Sequence, residues 1–470
     1  MNIAYVASEA TPYAKTGGLA DVVGSLPKYL NTMGIKTRTF LPKYKGIKGS
    51  LYRKLSIDMH GLYNIKVFKE GDVYFIDYPE FFERDFLYGT ENGDYPDNCE
   101  RFTLFCKTVA QLLADDDCDI VHCHDWQSAM IPLYLQLKRT KIKSVFTIHN
   151  IGYQGKFPGS QFPILGIDEK YFNPEGVEFY GDINFLKAGI LYSDIVTTVS
   201  ENYAKEIQTP AFGFGLDGVL KKRSDDVFGI INGIDYNIWN PQSDNFIYEK
   251  YNDFTGKMEN KMLLTKELNI DPKRPLIGMV SRMAQQKGFD ILVKAFDKIV
   301  KMNFNFVLLG FGEDNYHIIF KKFEESYPNW VSMNIKFDNK LAHRIYAGSD
   351  FFLMPSMYEP CGLGQLISLK YGTVPIVRKI GGLADTVEEF NPETKLGNGF
   401  LFEKYSPEDL INTLTRARAI YNDHDTFKVL SETCMGLDFS WKESAKKYEK
   451  LYESILTRSL KKNFQRPRLR

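Results

Sequence analysis

Short stretches crowded with β-branched residues recur along the first half of the chain: NIAYVAS at 2–8, DIVHCH at 119–124, KSVFTIH at 143–149, DIVTTVS at 194–200 and VFGIIN at 227–232. Their near-continuous apolar character marks strands buried on both faces. Several are separated by segments with the apolar spacing of a helix, such as 20–33 and 127–138. Strands alternating with helices predict a largely parallel sheet covered on both faces. The rhythm restarts after Asp271-Pro-Lys-Arg-Pro275, with strands at 276–281, 305–310, 350–355 and 373–377. Segment 236–260, rich in Asn, Asp, Tyr and Lys, is expected to be a linker running into a helix at about 257–269. The fold class that follows is α/β, with two doubly wound Rossmann-like domains at 1–240 and 241–440. In the remaining segment, 441–470, Trp441, Ala445, Tyr448, Leu451 and Tyr452 have helical spacing and the end, KKNFQRPRLR, is a basic tail. That last helix could pack back on the N-terminal domain.

A chain of 470 residues is long enough for two large domains. The 59 basic and 59 acidic residues cancel, so no general attraction to nucleic acid or to an anionic membrane is expected. No apolar run approaches a membrane span, and Glu9 and Lys15 interrupt the region where a signal peptide would need an apolar stretch, which points to the cytoplasm. Six cysteines without a CxxC pair argue against a disulfide framework. Cys118, His122, Cys123 and His124 cluster, but strand alternation puts the two histidines on one face and Cys123 on the other, so no metal is expected there.

Three motifs fall where strands end and helices begin, the ligand-binding edge of an open α/β sheet. Lys15-Thr-Gly-Gly-Leu-Ala-Asp-Val-Val23 recurs as Lys379-Ile-Gly-Gly-Leu-Ala-Asp-Thr-Val387, and each Gly-Gly turn would present backbone N–H groups at a helix start, suited to phosphate or sugar hydroxyls. Ser281-Arg282-Met-Ala-Gln-Gln-Lys287-Gly288 supplies a guanidinium and an ammonium suited to a diphosphate leaving group. Glu359-Pro-Cys-Gly-Leu-Gly-Gln365 offers a carboxylate for two adjacent hydroxyls. Asp125, in His124-Asp-Trp126, and His149, in Thr147-Ile-His-Asn150, end successive predicted strands on the same rim as Lys15.

These motifs, with NGID at 232–235, LAHRIYAGSD and YGTVPIVRKIGGLADTV, run in one order from residue 1 to beyond 387. In them the chain resembles the bacterial glycogen synthases and plant starch synthases of glycosyltransferase family 5, whose two-lobed (GT-B) fold sets two Rossmann-like domains across a cleft. The resemblance implies transfer of glucose from a nucleotide-diphosphate glucose, usually ADP-glucose, to the non-reducing 4-hydroxyl of an α-1,4-glucan with retention of configuration. By motif match it assigns Arg282 and Lys287 to the diphosphate, and Glu359 with the backbone of Cys361, Gly362 and Leu363 to the glucosyl unit. Lys15, Gly17 and Gly18 fall to the donor phosphates with Asp21 beside them, and Asn232 to the sugar site. It puts His149 near the anomeric centre, Asp125 near glucose and acceptor, and Phe337 against the base. Tyr88, Tyr95, Trp126 and Tyr153 are aromatic candidates for a glucan groove.

Neither cofactor nor metal is implied, since Lys15, Arg282 and Lys287 can neutralise the diphosphate. Three positions depart from the family or its wider superfamily: Gly364 where Thr is usual, Lys336 where a glycine often precedes the base-stacking aromatic, and Ile367 where the superfamily often has a second glutamate. No carboxylate except Asp125 is a candidate nucleophile, so attack from the face of the departing diphosphate is favoured over a double displacement. A UDP-glucose enzyme and a catalytically weak glucan-binding homologue are the alternatives. The sequence leaves the oligomeric state open.

Overall fold

Nine strands form the sheet of the first unit. They are β1 (Asn2–Val6), β2 (Lys36–Pro42), β3 (Ser50–Asp58), β4 (Leu62–Glu70), β5 (Val73–Asp77), β6 (Ile120–His124), β7 (Lys143–Ile148), β8 (Ile195–Thr198) and β9 (Val227–Gly229). Their order is β9-β8-β7-β6-β1-β2-β5-β4-β3. All neighbours are parallel except β3–β4 and β4–β5, which form an antiparallel extension. β1, β6, β7, β8 and β9 are the predicted apolar runs, one to three residues shorter, and β2 and β5 were not predicted. The extension was not predicted: β3 is exposed along most of its length and β4 buries only Ile65 and Val67, so neither carries an apolar run.

The structure, a computed structural model, describes residues 1–457. The basic tail at 461–470 lies outside them. Contacts divide the chain into one unit of residues 1–199, 204–230 and 444–457, and another of 200–203 and 231–443. The second unit holds β10 (Leu276–Val280), β11 (Asn305–Gly310), β12 (Val331–Ile335), β13 (Phe351–Met354), β14 (Val374–Arg378) and β15 (Phe400–Phe402), in the order β12-β11-β10-β13-β14-β15. Every pairing in it is parallel. In each sheet the strand order reverses beside the first strand of the unit, which opens a crevice at the carboxyl ends of β1 and β6 and another at those of β10 and β13.

Two sequence expectations are corrected. Segment 236–253 is a strap folded onto the second unit. The buried Asp244 carboxylate accepts from Tyr371 Oη at 2.6 Å and meets His343 Nδ1 at 2.7 Å, Tyr251 Oη donates to the Tyr371 carbonyl at 2.7 Å, and Trp239 stacks on His343 with ring centroids 4.0 Å apart. Its polar residues satisfy one another inside the unit, which a composition argument cannot distinguish from a solvated linker. The helix expected at 127–138 is a 3-10 turn, Trp126–Ser128, followed by a helix at Ile131–Leu137 that starts with Pro132 in its first turn. The last helix, Trp441–Thr457, buries Trp441, Ala445, Tyr448, Leu451 and Tyr452 as its spacing predicts. No helix among the described residues is long and apolar enough to cross a membrane.

Candidate active site

At the end of β1 the chain turns through Glu9 into the loop that carries Lys15. Glu9, only 3% exposed, accepts from Thr16 N and Gly17 N on one carboxylate oxygen and from Thr16 Oγ1 and Tyr88 Oη, both at 2.6 Å, on the other. One N–H group of the turn expected to face phosphate, that of Gly17, is therefore already satisfied by a side chain, and the loop owes its shape to Glu9. Nothing in the motif singles Glu9 out; an acid six residues before Lys15 reads as solvated. Beyond the loop, Gly18 opens the helix Gly18–Thr32. Lys15 Nζ reaches both oxygens of Asp21, at 2.7 and 2.9 Å. Burial pushes the Asp21 carboxyl up and Lys15 pulls it back.

At the end of β6, Asp125 takes a left-handed backbone, φ 56°, that a non-glycine residue adopts only when its surroundings hold it there. Its Oδ1 accepts from His149 N at 2.8 Å, so the carboxylate clamps the loop after β7. Burial raises this carboxyl to about 7, against the backbone N–H groups of His149 and Asn150 that favour its ionised form. Burial lowers the His149 ring to about 3, so the imidazole is neutral at pH 7. His149 Nε2 lies 3.0 Å from His124 Nδ1.

In the second unit, Gly288 has φ 79°, and a Cβ there would sit 2.0 Å from the Pro355 carbonyl. This close approach, with Met357 N donating to the Gln286 carbonyl at 2.8 Å, locks the loop after β10 to the loop after β13. Together they line a cavity of about 200 Å³ that includes Ser281, Arg282, Lys287, Ser356, Glu359, Leu363 and Gly364. Lys287 Nζ donates to Glu359 at 2.7 Å and Ser356 Oγ to the same oxygen at 3.0 Å, so the buried acid is compensated within its own unit. Cys361 is buried and its thiol is pushed up to about 12 by burial, with the Asn232 backbone N–H favouring the thiolate. Asn232 joins these residues in the second unit, and its buried Oδ1 has no hydrogen-bond partner. Gly362 adopts φ 72°. Phe337, 93% exposed, presents its ring just beyond β12. At Gly364 a Cβ would lie 2.8 Å from the Phe352 ring and 3.3 Å from Met354 Sδ, so this chain fills with Phe352 and Met354 the space a threonine would need. Ile367 is buried in an apolar cluster with Leu366 and Phe352.

The second Gly-Gly copy does not form an anion cradle. A Cβ on Gly381 would sit 1.9 Å from the Glu359 carbonyl and one on Gly382 2.2 Å from that of Cys361, and Gly382 N donates back to residue 359. There the glycines allow two backbones to touch and seat Glu359, whereas Gly17 has no neighbour near its Cβ position. Three of the four aromatic candidates are committed elsewhere. Tyr88 bonds Glu9 and Ser8, Tyr95 lies under the guanidinium groups of Arg84 and Arg101, and Trp126 is buried edge-on against Phe102, Phe157 and Phe185. Tyr153 is 53% exposed. Among the described residues no group of three or more His, Cys, Asp or Glu side chains is placed to hold a metal ion.

A sequence profile of the starch synthase catalytic domain matches residues 2–222, and one of group 1 glycosyl transferases matches 261–427. The glycogen synthase of Koribacter versatilis is 45% identical over 96% of this chain and 98% of its own. The chain belongs to the glycogen synthase family. A second member, the glycogen synthase of Fervidobacterium nodosum, is 46% identical over 96% of this chain and 98% of its own. The catalytic domain of starch synthase IV from Arabidopsis thaliana, solved with ADP and acarbose, is 35% identical and superposes with a TM-score of 0.88 over 97% of this chain and 99% of its own. The two α/β units are therefore those of a GT-B glycosyltransferase, and the family places the chain among the enzymes that build glycogen or starch.

Proposed function

We propose that this glycogen synthase homologue transfers glucose from ADP-glucose to the non-reducing 4-hydroxyl of an α-1,4-glucan with retention of configuration. The observation that carries the reading is the cavity at the ends of β10 and β13, where Arg282 and Lys287 lie beside the buried Glu359. Two cations there stabilise the charge that grows on a departing diphosphate, and Glu359 accepts from sugar hydroxyls. The related starch synthase, which was solved with ADP and acarbose, supports an adenine nucleotide and a glucan-like acceptor.

Retention through a covalent intermediate needs a free carboxylate beneath the anomeric carbon. Asp125, the sequence candidate for that place, is engaged with the backbone of His149 and Asn150. Attack from the same face as the departing diphosphate needs no nucleophile from the protein. A leaving-group oxygen then takes the proton of the acceptor hydroxyl, while Lys15 adds positive charge at the phosphates. No metal is required, because Lys15, Arg282 and Lys287 offset the diphosphate.

Competition between ADP-glucose and UDP-glucose in one assay with maltooligosaccharides tests the donor, and digestion of the product by α-amylase tests the linkage. The expected outcome is preferential ADP release and an amylase-sensitive product. Preferential UDP release would overturn the donor assignment, and an amylase-resistant product the stereochemistry.

A further inference from the structure

Two buried histidines of β6, His122 and His124, and the half-buried His149 just after β7 form a set of which the resemblance assigns a role only to His149. The rings of His122 and His124 lie 4.2 Å apart on one face of β6. His122 has a partner at each nitrogen, Tyr452 Oη at 2.8 Å on Nδ1 and Thr147 Oγ1 at 2.6 Å on Nε2. His124 is fully buried, with Nδ1 3.0 Å from His149 Nε2 and no hydrogen-bond partner for Nε2. Desolvation by burial holds all three rings below their ordinary values, so each is neutral at pH 7.

Two neutral rings meeting nitrogen to nitrogen share one proton, and only two arrangements exist. If His149 Nε2–H donates, His124 must carry its own proton on Nε2, which strands a buried N–H group. If His124 Nδ1–H donates, its Nε2 keeps only a bare lone pair, and His149 carries its proton on Nδ1. Orphaned buried N–H groups are rarer in native structures than under-satisfied acceptors. We propose that His124 is a positioning residue that fixes His149 as the Nδ1–H tautomer, making the ring a neutral hydrogen-bond donor toward the sugar. This rests on the transferase reading of His149. In this arrangement His149 Nε2 is occupied and cannot serve as a base, and Nδ1–H supplies a donor without a charge. The packed ring of His122, held at both nitrogens, keeps His124 in the plane that the contact needs.

The tautomer can be read from the whole enzyme without substrate. Two-bond ¹⁵N–¹H correlations of ring-labelled histidine, with His149 assigned by its loss in His149→Gln, should show a protonated Nδ1 and a bare Nε2. His124→Asn keeps an N–H donor near the Nδ1 position, and should preserve both the tautomer and most of kcat. His124→Phe keeps ring bulk without the donor. It should shift His149 toward the Nε2–H form and lower kcat by about a hundredfold, with little change in KM, less than the roughly 10⁴-fold lost where the wrong tautomer disables a catalytic base. An Nε2–H signal in the wild-type enzyme overturns the proposal, as does a folded His124→Phe enzyme with unchanged kcat. Failure of the donor assignment would leave the nitrogen spectrum as it is, so the two readings fail separately.

Discussion

Replacing Glu9 by alanine separates the shape of the Lys15 loop from the stability of the fold. The carboxylate receives four hydrogen bonds, two from backbone N–H groups and two from hydroxyls. A hydrogen bond to a charged group is worth about 1.5–3 kcal/mol. Thr16 and Gly17 are exposed, so water takes over their N–H groups once the loop lets go. Most of the loss then falls on the order of the loop. A loss of about 2–3 kcal/mol in placing Lys15 corresponds to a fall of roughly 30- to 150-fold in kcat. Glu9→Gln keeps an acceptor for the two backbone groups and offers an amide to the hydroxyls of Thr16 and Tyr88, so it should lose less than about tenfold. Initial rates of ADP release at saturating glucan, with thermal unfolding of each variant, make the measurement. A folded Glu9→Ala enzyme within twofold of wild type would refute the reasoning. Equal losses in Gln and Ala would show that charge, not loop geometry, is what Glu9 supplies.

Lys287→Ala should lower kcat by about a hundredfold or more and also destabilise the second unit, because it leaves the buried Glu359 unpaired. Adding Glu359→Gln should recover melting temperature but not activity, and recovery of neither would contradict the pairing. Arg282→Ala should show the kinetic loss, with a smaller effect on melting than Lys287→Ala. Turnover should persist in excess EDTA after metal removal, and strict dependence on added Mg²⁺ or Mn²⁺ would count against the three-cation account. For His149, the folded value of about 3 lies below the ordinary 6.5, so the fold favours the neutral ring. That stability is complete above pH 6.5 and drains away as pH falls toward 3, by at most about 1.4 kcal/mol per pH unit. Thermal midpoints at pH 7 and 5 should therefore fall less in His149→Gln than in wild type, and parallel falls would dismiss the effect.

Nine of the parallel strands were legible because strands buried on both faces are rich in apolar and β-branched residues, as IAYV at 3–6 is at 0% exposure, whereas β2, β5, β12 and β15 were not predicted. The strands β3 and β4 were not, since a half-solvated edge carries lysine and tyrosine at alternate positions and resembles a loop. Motif spacing located Arg282, Lys287 and Glu359 at one crevice, because each follows a strand directly. It could not say that Lys287 and Glu359 would bond each other, which depends on how two loops 72 residues apart close together. Trp126 was an aromatic candidate for a glucan groove. Its burial comes from Phe102, Phe157 and Phe185, supplied by three other parts of the chain. The repeated KxGGLAD motif misled in the same way: identical glycines serve an open loop in one copy and backbone contact in the other.

The helix Trp441–Thr457 sets an order for synthesis. Its Tyr452 hydroxyl bonds both Tyr5 and His122, and Ala445 and Tyr448 are wholly buried, so the earliest strand of the first unit is finished by almost the last residues described. Residues 231–443 intervene, and at about 5–20 residues per second their translation takes roughly 10–40 s. Throughout that interval the nascent first unit keeps Tyr5 of β1 and His122 of β6 without the tyrosines of this helix, open to a chaperone or to another nascent chain. A chain truncated before residue 445 would hold a second unit complete in its parallel sheet and a first unit without the Tyr452 hydroxyl that bonds Tyr5 and His122.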